Sequence, residues 1–184
     1  MLAAAALAAL AAPTAAQQRG TLEVGVFARG TLFDPSLQVE TALGVGARAA
    51  LFLAPRWLLE ADLSTSGVDG LASFPETSYR PFHLRGNFVR SYSQRGQMVV
   101  GLGVVATSFG GDFGESDAGV AGLFGFRLQL PRSLVARVDA TLDYVPAPAN
   151  GAGDNWVAGV QLGVGYRVGP ARSAANARSR TARR

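Results

Sequence analysis

The sequence contains no cysteine and no lysine, and beyond its N-terminus it has no long apolar segment. Without cysteine, thiol catalysis, zinc knuckles and a disulfide framework are excluded. Without a long apolar segment, the part of the chain that follows the N-terminus has no candidate membrane-spanning helix. The fraction of apolar residues, 48 %, is nevertheless ordinary for a folded protein.

The net positive charge of the chain comes from its C-terminus. The formal net charge is +4, but five arginines lie in the last fourteen residues, which contain no acid. The rest of the chain carries −1, so the basic isoelectric point does not indicate a nucleic-acid-binding domain.

The two ends of the chain differ from the middle. Residues 1–16, MLAAAALAALAAPTAA, are rich in alanine and leucine and place Thr14 and Ala16 at the −3 and −1 positions of a cleavage site. We interpret them as a secretory signal peptide. Residues 170–184 have no apolar periodicity and predict a disordered, arginine-rich periplasmic tail. Residues 17–169 then form the single folded domain.

Alternation of apolar and polar residues dominates this domain. In LVARVDATLDY, residues 134–144, every second residue is apolar and the others are mostly polar or charged, which is typical of a β-strand with two different faces. The pattern occurs in eight segments: 21–30, 41–53, 57–64, 79–92, 97–107, 119–130, 134–144 and 155–168. No helix is left to cover the apolar faces. We therefore predict an all-β fold, an eight-stranded antiparallel up-and-down transmembrane β-barrel with lipid outside and a polar interior.

The connections support this topology. Those after the second, fourth and sixth strands are only a few residues long. The others are long and rich in Gly, Asp, Ser and Pro: 31–40, 65–78, 108–118 and 145–154. Strict alternation of short and long connections is expected when the short turns lie at the periplasmic rim and the long loops face outward.

The last two hairpins resemble a known family. GFRLQLPRSLVARVDATLDY and DNWVAGVQLGVGYRV are similar to the closing pattern of the OmpA-like and OmpX-like eight-stranded outer-membrane barrels. The resemblance implies a location in the cell outer membrane, and it covers the barrel domain only, without a peptidoglycan-binding domain. The final strand departs from the family because it ends at Val168, not at a terminal aromatic residue.

Charged residues at inward-facing positions predict an ion-pair network in the lumen, because unpaired charge in a narrow interior is costly. If the turn at 54–56 is tight, Arg48 lies opposite Asp62, and barrel closure makes Glu23 a neighbour of Arg167. The candidate lumen residues are Glu23, Arg29, Arg48, Glu60, Asp62, Arg85, Arg127, Arg137, Asp139, Asp143 and Arg167.

Aromatic residues near the strand ends predict a girdle at each membrane interface, where amphipathic rings are favoured. We assign Trp57, Tyr92 and Tyr166 to the periplasmic rim. Tyr79, Tyr144 and Trp156 are assigned to the outer rim.

The single histidine, His83, suggests a hydrolase base, but such a base needs a nucleophile or paired carboxylate beside it. Its inward neighbours on the same strand are Pro81, Arg85 and Asn87, so a hydrogen-bonded interior histidine is the simpler interpretation. The acidic loop at 108–119 lacks the residue order of a calcium-binding hand. We predict no catalytic, cofactor or metal site, and no enzymatic activity.

Two functions fit these features. The first is a monomeric outer-membrane protein with a packed ionic lumen, whose long loops meet lipid, lipopolysaccharide or a surface ligand. The alternative is a small porin-like channel for ions or small solutes, which requires that the lumen open.

Overall fold

The computed structural model describes residues 19–35, 41–68, 77–110, 116–146 and 154–169, which form eight strands. These are β1 (Leu22–Phe33), β2 (Ala42–Ala54), β3 (Trp57–Val68), β4 (Thr77–Ser91), β5 (Gly96–Phe109), β6 (Ser116–Gln129), β7 (Leu134–Val145) and β8 (Asn155–Val168). The described part of the chain contains no helix that is both long enough and apolar enough to cross a membrane. The expected signal peptide and tail lie outside the described residues.

Each strand pairs antiparallel with the next, and β8 pairs with β1 to close the sheet into a barrel. The predicted fold class is therefore confirmed. Several strands extend further than predicted on the side of the long connections. For example, β3 continues to Val68 and β6 begins at Ser116, because backbone pairing such as Ser66 with Tyr79 continues where the side chains are no longer alternately apolar.

The two faces of the sheet differ as the alternation requires. Outward positions are apolar and exposed: Leu43 is 81 % exposed and Leu102 is 73 % exposed. Inward positions carry most of the charged residues of the strands, and these are buried. In water such an apolar exterior would be strongly unfavourable, whereas in a bilayer it contacts acyl chains.

Two arginines mark the height of the apolar exterior on β4. Arg80 and Arg90 both occupy outward, exposed positions, and the outward residues between them are Phe82, Leu84, Gly86 and Phe88. Ten residues of strand at about 3.3 Å each, tilted by about 40°, give a height of about 25 Å. This equals the height of about 25 Å usual for the apolar band of a membrane barrel.

Buried apolar side chains form a cluster toward each end of the lumen. At the end with short turns, Phe52, Leu58, Val89 and Val99 pack in one buried cluster together with Ala50 and Leu123. At the end with long connections, Tyr79 packs with Ala42 and Val157 and against the rings of Phe33 and Phe109. Most of the charged lumen residues lie between these two apolar layers, whereas Glu23 and Arg127 lie level with the cluster at the short-turn end.

Candidate functional site

The interior of the barrel contains a continuous chain of hydrogen-bonded charges. Near the long-connection end, Arg29 Nη2 lies 3.1 Å from Asp143 Oδ2. His83 joins that carboxylate to Asp62, with Nε2 3.0 Å from Asp143 Oδ2 and Nδ1 2.9 Å from Asp62 Oδ1. Arg85 also contacts the Asp62 carboxylate. All five side chains are buried.

The chain continues through the middle of the lumen. Glu60 contacts both Arg85 and Arg137, and Arg137 Nε donates to Asp139 Oδ1 at 2.8 Å. The other oxygen of Asp139 accepts from Arg48 Nη1 at 2.7 Å. This connected chain contains four arginines and four carboxylates from five of the eight strands, so its charges nearly balance.

A second, smaller group lies toward the short-turn end. Arg127 contacts Glu23, donates to Gln97 Oε1 at 3.1 Å, and stacks on Phe52 with its guanidinium carbon 5.3 Å from the ring centroid. It therefore joins the polar part of the lumen to the apolar cluster at this end.

Backbone register and side-chain pairing differ in the lumen. The register places Arg48 opposite Asp62, but the Arg48 guanidinium reaches Asp139 on β7. Likewise Glu23 lies opposite Arg167 at the seam, yet its carboxylate contacts Arg127 on β6. Arg167 Nε has no hydrogen-bond partner among the described residues. Long side chains thus cross the barrel and connect strands that are not neighbours.

His83 has both ring nitrogens occupied by carboxylates. Each nitrogen lies within hydrogen-bond distance of a carboxylate oxygen, so the ring bridges Asp62 and Asp143. Neither nitrogen faces a hydroxyl group that it could activate. The arrangement is that of a hydrogen-bonded link between two buried acids.

Glycines provide the space in which the long side chains lie. The Phe27 ring occupies the space above Gly46 on β2, and a Cβ on Gly163 of β8 would meet the Phe27 Cβ at 2.9 Å. The guanidinium carbon of Arg48 lies 4.7 Å from the centroid of the Phe27 ring. A cation–π contact in this buried location adds to the ion pair that Arg48 makes.

Several buried polar atoms have no hydrogen-bond partner among the described residues. Most are donors, including Nε and Nη1 of both Arg29 and Arg85, whereas Asp143 Oδ1 is one of the few acceptors. Buried polar groups of this kind are usually hydrated. The polar part of the lumen between the two apolar clusters is therefore a suitable environment for internal water.

The aromatic girdle prediction is wrong for Tyr79. This residue is only 1 % exposed and faces the lumen, because the outward positions of β4 are even-numbered. The other five candidates lie on the outer surface or its rims. Tyr144 and Trp156 are partners in register, with ring centroids 4.6 Å apart, and the Tyr144 hydroxyl donates to Asp154 at 2.6 Å. At the opposite rim Trp57 packs on Phe88 and Tyr92 on Phe126.

No protein-family model matches the sequence, and no curated protein matches it significantly. Solved structures do match. The outer membrane protein OprG from Pseudomonas aeruginosa is 17 % identical, with a TM-score of 0.60 over 84 % of this chain and 98 % of OprG. Neisserial surface protein A is 11 % identical, with a TM-score of 0.70 over 82 % of this chain and all of that protein.

Ail, the attachment invasion locus protein of Yersinia pestis, is 13 % identical, with a TM-score of 0.56 over 82 % of this chain and 100 % of Ail. Ail has also been crystallised in complex with the heparin analogue sucrose octasulfate. At these identities the similarity establishes the fold, which is that of small transmembrane barrels.

Proposed function

We propose that this chain, which has the eight-stranded β-barrel fold of outer-membrane proteins, is a closed barrel of the outer membrane that acts through its long loops. The observation that supports the proposal is the buried ion-pair network in the lumen, with a buried apolar cluster toward each end. A barrel filled in this way is suited to holding loops at the cell surface, and not to passing solutes.

The composition of the loops indicates which ligands they favour. The long connections carry eight acidic residues and no basic ones; the acids are Asp34, Glu40, Asp69, Glu76, Asp112, Glu115, Asp117 and Asp154. A polyanion such as the heparin analogue bound by Ail would be repelled by this set. We infer that the loops select cationic ligands, since complementary charge increases association and discriminates against like charge.

Conductance tests the closed lumen. The refolded protein in planar lipid bilayers should give no current, whereas Arg48→Ala combined with Phe52→Ala and Tyr79→Ala should leak, because it removes one residue from each layer of the interior. Leu102→Ala, on the lipid-facing surface, is the matched control and should remain silent. Stable channels from the wild type would contradict the proposal and would assign a small channel for ions or solutes.

Peptide binding tests the loops. An arginine-rich peptide should bind the protein in nanodiscs of neutral lipid, and Asp112→Asn with Glu115→Gln and Asp117→Asn should weaken it about tenfold or more, because charge complementarity is lost. Equal affinity for both proteins would reject the inference about the loops while leaving the closed lumen untouched.

A further inference from the structure

The end of the barrel with short turns carries a set of exposed arginines. Each of the three short turns contains one, a fourth precedes β1, and a fifth lies on the outward face of β4 close to its end. We call this set the arginine collar; it consists of Arg19, Arg56, Arg90, Arg95 and Arg132. All five are exposed. The three short turns join β2 to β3, β4 to β5 and β6 to β7, and Arg19 lies at the seam between β8 and β1. The collar arginines are therefore distributed around the whole rim.

Among the residues that the structure describes, no exposed acidic residue lies at the short-turn end beside the collar. The chain has 13 acidic residues, of which eight lie in the long connections. The other five are Glu23, Glu60, Asp62, Asp139 and Asp143, and all of these are buried in the lumen. The collar therefore has no exposed counter-charge on its own rim, and its field is not neutralised by the protein surface around it.

The collar lies at the depth of lipid headgroups. Arg90 follows Phe88 on the outward face of β4, one strand repeat beyond the apolar band, and Arg56 directly precedes Trp57. The exposed aromatic residues Trp57, Tyr92 and Tyr166 lie at the same rim. Aromatic rings of this kind mark the membrane interface, so the arginines beside them meet the phosphate layer of the adjoining leaflet.

Arg132 stands at a position that other residues would fit more easily. Its φ is 60°, in the left-handed region, and the next residue, Ser133, has a φ of 65°. Two successive residues of this kind form the hairpin turn that Asn and Gly adopt most readily. The turn holds the Arg132 side chain at the rim, between β6 and β7.

We propose that the arginine collar binds the phosphate groups of anionic phospholipids in the leaflet that meets the short-turn end. Arginine suits this task because its planar guanidinium donates two parallel hydrogen bonds to a phosphate. The collar contacts lipid around the full circumference, so it enriches anionic lipid at one rim only. The inference is independent of what the loops bind.

Two tryptophans allow each rim to be measured separately. Trp57 lies at the collar and Trp156 at the opposite rim, and the sequence contains no other tryptophan. The full chain with Trp156→Phe is reconstituted in phosphatidylcholine vesicles that contain either brominated phosphatidylglycerol or, at the same mole fraction, brominated phosphatidylcholine. Bromine quenches tryptophan at contact, so the ratio of the two quenching efficiencies reports the local enrichment of anionic lipid.

At low salt we expect this ratio to be at least two at Trp57, and to fall toward one in 0.5 M NaCl because salt screens exposed charges. In the Trp57→Phe protein, Trp156 should report a ratio close to one. The collar variant, in which all five collar arginines are changed to Gln, should abolish the preference at Trp57. The control Arg80→Gln, at the other end of β4, should not change it.

Equal quenching by the two lipids at Trp57 would overturn the proposal. A preference that survives in the collar variant would also overturn it, because the arginine-rich C-terminus is present in both proteins and would then be the source. If Trp57 shows no preference and isolated peptidoglycan sediments the wild type but not the collar variant, the collar binds a cell-wall polymer and the lipid assignment is wrong.

Discussion

His83 is a central residue of the lumen network, because its imidazole links the carboxylates of Asp62 and Asp143. Replacing it with leucine leaves two buried acids facing an apolar side chain. Removal of one partner from a buried ionic contact costs about 3 kcal/mol or more. We expect His83→Leu to lower the free energy of unfolding by about 3 kcal/mol, measured by urea titration in lipid vesicles with tryptophan fluorescence.

The matched control is Thr31→Val, which removes a hydroxyl from a second buried position in the lumen. The Thr31 Oγ1 atom has no hydrogen-bond partner among the described residues. Deleting a polar group of this kind while keeping the side-chain shape should leave stability unchanged or slightly raised. If both variants unfold at the wild-type urea concentration, the network does not stabilise the barrel.

Which residues face the lumen follows from the sequence, but which of them pair does not. Alternation places Arg48 inside and opposite Asp62, whereas its contact with Asp139 depends on the curvature of the closed sheet and on the length of the side chain. Tyr79 is a different case. Strict alternation from Phe82 and Leu84 places Tyr79 inside, whereas its position near the strand end alone suggests the membrane interface.

At the scale of strands, the inward glycines of β2 and β8 determine where large side chains fit. A Cβ at Gly46 would collide with the Phe27 ring, whereas at Gly86, on the lipid-facing side of β4, the nearest atom would be 4.0 Å away. We expect Gly46→Ala to destabilise the barrel by about 1–3 kcal/mol through overpacking. Gly86→Ala should be neutral or stabilising, since alanine restricts the unfolded chain.

Thermal unfolding in detergent, followed by the loss of the compact form on unheated gels, measures both glycine variants under one condition. The comparison is direct because both residues are central in their strands and differ in the face they occupy. A stable Gly46→Ala protein would show that the Phe27 ring and the Leu63 carbonyl, which also lies within 2.6 Å of the added Cβ, both move at little cost.

The number, order and pairing of the strands could be predicted from the sequence because they depend on alternation and turn length. The apolar layers at the two ends of the lumen were missed. Phe52, Leu58 and Val99 occupy inward positions next to the short turns. The alternation of the strands therefore predicts that these apolar side chains face the lumen. The exact strand ends on the side of the long connections depend on backbone pairing beyond the apolar band, which composition does not reveal.

At the scale of the whole molecule, the apolar exterior should make a charge costly in proportion to its depth. Leu102 lies midway along β5, whereas Leu128 lies near the short-turn end of β6. Arginine costs about 2–4 kcal/mol at the bilayer midplane and about 0–1 kcal/mol near the interface. Leu102→Arg should therefore destabilise the folded protein in vesicles by several times more than Leu128→Arg, as measured by equilibrium guanidinium titration. Equal losses would show that this surface does not contact hydrocarbon.

The lumen contacts also join residues that are distant in the chain: Arg29 and Asp143 are separated by 114 positions, and Arg48 and Gln161 by 113. We expect contacts of such long range to form late in folding, when barrel closure brings the first and last strands together. Interactions absent from the transition state slow unfolding and leave the rate of folding unchanged. We therefore expect the ionic interior to slow unfolding and so to prolong the lifetime of the assembled barrel in the membrane.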